Sequence, residues 1–216
     1  MYMVHVGAGW ALARLRRGPR ATLRLDPLLR WLALDGFGFH QGYFQPVRHI
    51  HAGVRPRGFA GYAGRAFDQG LGRSLWFVTA AQPGAVAGAI DRFDETRRAD
   101  LWSGVALAAS YAGAADVPAL ELLAATGARY RSHIAQGAAF AAAAREHAGN
   151  AAVHTDQACR TLAGLCARKA AELTNVAARG LPPDGAAPAY EIWRQRLRTA
   201  ITEAVLDRRG TGWARV

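Results

Sequence analysis

The feature of this chain that most restricts its fold is a glycine set behind a polar residue about once per helix pair. Gln41-Gly42, Gln69-Gly70, Ser103-Gly104 and Gln136-Gly137 follow one another at intervals of 28, 34 and 33 residues. A glycine inside a helix costs up to about 1 kcal/mol relative to alanine. Repeating it at this spacing therefore implies a compensating gain, and the gain that a missing Cβ uniquely permits is close approach of two backbones. The spacing predicts an all-α fold of antiparallel helical hairpins stacked as a helical-repeat, solenoid-like array. Coincidence in a chain with 24 glycines is the competing explanation.

Helical signals run along most of the 216 residues, which are read as a single all-α domain. Asp26-Pro27 is a helix start, with an N-cap acid followed by proline at the first helical position, and Leu28, Trp31 and Leu32 then share a face. Phe67, Leu71, Leu75 and Val78 recur at amphipathic spacing. Asp116 caps a short helix that Gly127 ends, a longer helix spans about 128 to 147, and Gly149 stops it. Residues 155–178 read as one interrupted helix or two. Pro182-Pro183-Asp184-Gly185 is a break, after which Tyr190, Trp193, Leu197, Ile201 and Val205 mark a final helix. Strand signals are sparse: residues 1–6 are expected to be extended, and residues 47–54 to be a loop or irregular segment.

Composition narrows the class of partner. The formal charge is +11, and Lys169 is the only lysine among 27 basic residues, so arginine carries nearly all of it. Arginine in place of lysine, with abundant alanine and glycine, is the signature of a GC-rich genome, which lowers the weight of the charge. A basic balance still favours acidic partners. No basic stretch carries the interleaved aromatics of a single-strand stacking surface, so nucleic acid is not the expected partner. The most apolar stretches are alanine-rich and too short for a bilayer, and the N-terminus lacks the charge order of a signal peptide. The expectation is a cytoplasmic protein whose Cys159 and Cys166, seven residues apart, stay reduced.

The familiar chemical motifs are weak or missing. Gly7-Ala8-Gly9 with Asp26 has the outline of a dinucleotide fingerprint, but Leu12 occupies the third glycine position and Asp26 is better explained as the cap before Pro27. His49-Ile50-His51 fixes no third ligand, so no metal site is expected and the pair reads as a surface loop. No nucleophile elbow or phosphate loop is present. No cofactor follows from any motif.

Three blocks combine polar and aromatic residues inside apolar helices: Asp35-Gly36-Phe37-Gly38-Phe39-His40-Gln41-Gly42-Tyr43-Phe44, the run Phe67–Phe77, and Arg97–Gly104. Buried polar groups left unpaired cost about 1–3 kcal/mol each, so these residues are either paired or functional. In the structural reading, Asp68 with Arg73 and Arg98 with Asp100 form ion pairs or caps while Trp76 and Trp102 pack the core. In the functional reading, an aromatic-walled pocket takes a ligand on Gln41, Gln69, Arg73, Trp76, Arg98 and Trp102. Asp68, His40 and Asp100 are then the candidates for moving a proton.

These blocks, with Tyr2-Met3-Val4-His5-Val6-Gly7-Ala8-Gly9-Trp10-Ala11, Leu181–Gly185 and Tyr190–Trp193, resemble the uncharacterised enediyne biosynthesis protein family over essentially the whole chain. The resemblance implies a role in actinobacterial secondary metabolism, with no established catalytic residues to carry over. Family members are typically longer at the N-terminus, so the chain is expected to lack helices present in longer relatives. Three functions follow as expectations. One is an accessory protein that binds a polyketide or polyene intermediate, or the biosynthetic enzyme carrying it. The second is an enzyme using acid–base chemistry on such an intermediate, and the third a repeat scaffold for protein–protein interaction. No sequence pattern sets the oligomeric state.

Overall fold

The polar–glycine pairs lie where neighbouring helices touch. In the computed structural model, which describes residues 2–211, all regular secondary structure among those residues is helical. The long helices α1 (Tyr2–Arg14), α2 (Arg30–Phe44), α3 (Gly61–Val78), α5 (Glu95–Ala112) and α7 (Arg131–His147) pack side by side in that order. Short helices α4 (Pro83–Ile90), α6 (Val117–Thr126) and α8 (Val153–Ala163) form a second row behind them, α4 against α6 and α6 against α8. Helix α9 (Ala167–Ala177) packs on α7, and α10 (Ala189–Thr211) lies against α7 and α9.

The joints between long helices are glycine against carbonyl. A Cβ added at Gly70 would sit 1.7 Å from the Asp35 carbonyl oxygen, one at Gly104 1.9 Å from that of Gln69, and one at Gly137 2.1 Å from that of Ser103. Each contact glycine therefore rests on the carbonyl of the residue that precedes the contact glycine of the previous helix. This register corrects the first member of the repeat: the pair equivalent to Gln69-Gly70 is Asp35-Gly36, and Gly36 in turn meets the Val6 carbonyl at 2.1 Å. Gly42 instead makes room for the Ser74 hydroxyl and a Leu71 methyl.

Adjacent long helices run in the same direction, because paired positions advance together. Gly38 meets Phe67 and Gly42 meets Ser74 between α2 and α3. Arg65 reaches Asp100 and the Trp76 indole reaches Gly113 between α3 and α5. Helix α4 carries the chain back between α3 and α5, and α6 does so between α5 and α7, whereas a 3-10 turn and a π-helical turn lie between α1, α2 and α3.

Local signals set most of the boundaries. Asp26 accepts from the amides of Leu28 and Leu29, and Asp116 from that of Ala119. Gly164 adopts a left-handed φ of 70° that ends α8, and Cys166 begins α9 two residues later, so the interrupted stretch is two helices. Both cysteines are free, and burial pushes the Cys159 thiol up to about 12. Residues 2–6 are helical rather than extended, while Met1 lies outside the described residues. Alternating apolar residues there read as a strand, but the segment docks as the first helix of the array, with Gly9 seated on the Ala33 carbonyl and the Val6 carbonyl on Gly36. Residues 47–51 form a π-helical turn in which His49 is buried and His51 exposed. Among the described residues, no helix is long and apolar enough to cross a membrane.

One buried cluster runs from Val6 to Ile201. Phe67, Leu71 and Leu75 are fully enclosed in it, whereas Val78, the last of that stripe, is 39% exposed. If backbone contact sets the helix spacing, Gly104→Ala lowers unfolding stability by about 2–3 kcal/mol by forcing α3 and α5 apart. Gly88→Ala, on open surface of α4 with nothing within 4 Å, raises it by about 0.5–1 kcal/mol. Urea titration of the two variants measures both.

Candidate functional site

The residue before each contact glycine is a buried polar one. Asp35, Gln69, Ser103 and Gln136 stand at matching levels on α2, α3, α5 and α7, all at most 1% exposed. Their side chains pair with each other and with α10. Gln69 Nε2 donates to Asp35 Oδ2 at 2.8 Å and to the Tyr190 hydroxyl at 3.3 Å. Arg73 pairs with Asp35 through Nη1. Ser103 donates to Gln136 Oε1 at 3.4 Å, and Arg194 Nε donates to the same oxygen at 3.0 Å.

Arg194, fully buried on α10, is the hub. Its Nη2 donates to Asp100 Oδ1 at 2.7 Å, and its Nη1 to Glu191 Oε2 at 3.2 Å and the Tyr62 hydroxyl at 3.3 Å. Arg65 binds the other Asp100 oxygen at 2.9 Å, and Arg198 the other Glu191 oxygen at 3.0 Å. Burial by itself would raise the Asp100 carboxyl, but Arg194 and Arg65 outweigh it and hold it below the usual carboxylate range. Glu191 is lowered by the same balance, with Arg194 and Arg65 the main opposing charges. Burial works against the Arg194 cation, yet the surrounding Tyr62, Asp100 and Glu191 raise it well above its ordinary value. Such a network contributes specificity of register more than stability, because the desolvation of each ion offsets most of its pairing energy.

The polar residues expected from sequence divide among separate places. Asp68 is clamped by Arg55 and by Arg97 at 2.6 Å, not by Arg73. Asp100 belongs to Arg65 and Arg194, not to Arg98. Arg98 instead closes the turn before α5, donating to the Phe93 carbonyl at 2.8 Å and the Asp91 carbonyl at 2.6 Å. Sequence spacing suggested partners within one block; the helix array supplies them from across the fold. Trp76 donates its indole N–H to the Gly113 carbonyl at 2.9 Å, and Trp102 is buried against Gly127, so both pack the core. Gln69 and Arg73 meet on Asp35, and Arg194 holds Asp100 in the same buried layer. His40 and Gln41 line a different cleft, on another side of α2. Among the described residues, no three histidine, cysteine or acidic side chains are placed to hold a metal ion.

Arg73 has a second role in the geometry. Its guanidinium lies 4.9 Å over the Phe39 ring, its Nε is buried without a partner, and it lines two adjoining cavities. The inner one is an apolar slit of about 30 Å³ between Val6, Leu107, Phe140 and Trp193. The outer one, about 270 Å³, is walled by Phe39, Phe77, Ala108 and Tyr111. Met3 and Tyr111 border both. Phe39 and Phe77 stack at 5.4 Å, and Tyr43 and Phe44, both exposed, continue the aromatic surface along α2.

The polar blocks of the sequence include Asp35 and Arg97 but give neither a role, although the Asp35-Gly36 pair fits the repeat better than Gln41-Gly42. Arg194, Glu191 and Arg55 went unnoticed, because their partners carry no local signal.

The hub sets two expectations. Arg194→Met, which removes the fully buried arginine shared by Asp100 and Glu191 and leaves them to Arg65 and Arg198, costs about 3–5 kcal/mol of stability, whereas Lys169→Met, which removes an exposed pair with Glu172, changes it by less than about 0.5 kcal/mol. His133, beside the hub, is lowered to about 4 by burial and by Arg198 and Arg194. It is neutral when folded but takes a proton near 6.5 when unfolded, so its contribution is present above about pH 6.5 and lost as pH falls towards 4. Stability measured across that window should drop, and His133→Gln should flatten part of the slope, on the order of 2 kcal/mol.

No curated protein and no solved structure matches this chain. A family model does, over residues 1–201, described as a protein of unknown function (DUF1702). Because that match spans nearly the whole length, the chain belongs to the DUF1702 family.

Proposed function

We propose that this protein is an accessory factor of bacterial secondary metabolism that binds the apolar end of a polyketide-derived or polyene intermediate in the slot beside Arg73. The observation that carries the reading is Arg73, which pairs with Asp35 through one end of its guanidinium, keeps a buried Nε without a partner and lines two apolar cavities. A mostly apolar recess with Arg73 as a fixed polar handle, and Arg145 at its wall engaged with the Tyr111 carbonyl, suits a long unsaturated chain with an oxygenated substituent. At about 270 Å³ the outer cavity is smaller than the 300–1,000 Å³ typical for whole ligands, so it takes a chain segment. Exposed Tyr43, Phe44 and Phe77 extend the surface for the remainder. The resemblance to enediyne biosynthesis proteins supports the substrate class.

Acid–base catalysis is less well supported by the geometry. A catalytic carboxylate has to reach the substrate, yet neither Asp68 nor Asp100 lines the slot, and each is held by two arginines. Docking of a pathway enzyme is the second reading, favoured by the exposed aromatics at the mouth.

Titration with a conjugated tetraene fatty acid, followed by its fluorescence, should show saturable binding with a Kd of about 1–10 μM. Phe77→Ala, on exposed surface, should weaken it about tenfold while leaving the melting temperature unchanged. No saturation up to about 100 μM would overturn the small-ligand reading.

A further inference from the structure

A second cleft opens on another side of α2, one residue along from the slot, where Phe39 gives way to His40 and Gln41. It encloses about 730 Å³ between the end of α1, the turn after it, α2, the π-helical turn and residues 56–59. Arg14, Arg16, Arg17, Arg48 and Arg57 line it, and no acidic residue does. Among the described residues none of the five forms an ion pair. Elsewhere Arg30, Arg55, Arg65, Arg73, Arg97, Arg129, Arg160, Arg194 and Arg198 each hold a carboxylate; other arginines without one, such as Arg92, Arg168 and Arg179, do not line this cleft, which alone gathers five.

Like charges gathered around one concavity without counter-charge raise its positive potential. A protein that gathers five such groups in one concavity gains by filling it with an anion. The wall of the cleft carries two further signs of a built site. His40 is 4% exposed, lines the cleft, and neither ring nitrogen has a hydrogen-bond partner. Such a group inside a fold costs stability unless something pairs with it. Arg16 stands at a φ of 52°, a strained conformation for a residue with a Cβ, in the turn that borders the cleft. Gln45 donates to Gln41 Oε1 at 2.7 Å, which fixes the Gln41 side chain and leaves its amide N–H groups free to donate.

We infer that this cleft binds a phosphorylated small molecule, its phosphate held by Arg14, Arg16, Arg17, Arg48 and Arg57 with His40 at the inner wall. Guanidinium forks match phosphate oxygens bidentately, which a lone carboxylate ligand would use only in part. The site is separate from the apolar slot and stands or falls independently of it.

Calorimetric titration of the full chain with inorganic pyrophosphate at low salt, with phosphate and sulfate in parallel, tests the inference. The expected result is one saturable site per chain, pyrophosphate binding at least tenfold tighter than sulfate. The His40 Cε1–H resonance should shift along the same binding curve. Arg14→Gln and Arg57→Gln, both at exposed side chains, should each weaken pyrophosphate about fivefold with unchanged melting, while Arg168→Gln on α9 should leave affinity unaltered. Equal weakening by Arg168→Gln, an unmoved His40 resonance, or tighter binding of duplex DNA than of pyrophosphate with several chains per duplex would each overturn it, pointing to diffuse charge or to nucleic acid.

Discussion

Everything in this fold hangs on a backbone contact between neighbouring helices that only glycine allows. With a Cβ at Gly70, Gly104 or Gly137 the next helix would have to retreat by more than an ångström, because the atom it would meet is a carbonyl oxygen and not a flexible side chain. The contact fixes spacing and register together. Since each glycine rests on the residue before the previous glycine, the repeat of 34 and 33 residues from Gln69 onward is a statement about geometry, and a slipped register would place a side chain where no space exists.

That constraint explains why a polar ladder can lie inside the protein. The residue preceding each glycine is carried to the same level on every long helix, so Asp35 and Gln69, and Ser103 and Gln136, come within bonding reach of each other. Helix α10 closes the ladder with Tyr190 and Arg194. Buried ions are expensive to leave unpaired, so the ladder penalises any arrangement in which α10 docks elsewhere. Stability comes from the apolar cluster, and the choice of one packing comes from the polar residues.

The same framework separates the parts of the surface that are free to bind. Asp68 and Asp100 are held by two arginines each, which leaves them as structural groups. Arg73 is paired at one end only, and neither His40 ring nitrogen has a hydrogen-bond partner. Both lie in concavities, one apolar and one basic, on different sides of α2. The three polar blocks of the sequence thus place residues locked in ion pairs beside residues that line cavities, and adjacent residues such as Phe39 and His40 face different cavities because a helix turns by about 100° per residue.

Read alone, the sequence determined most of the helices outside α1, several of their ends and the signal of close packing: Asp26, Asp116 and Gly149 act locally, and a repeated glycine has few other uses. The amphipathic stripe of Phe67, Leu71 and Leu75 was legible for the same reason. Which helix meets which, that Asp35-Gly36 and not Gln41-Gly42 begins the repeat, and that Asp68 faces Arg97 while Asp100 faces Arg194 were decided only by tertiary structure. Ion pairs spanning 29 to 94 residues leave no periodic trace in a chain. They exist because helices set at backbone contact bring together side chains that no local rule relates.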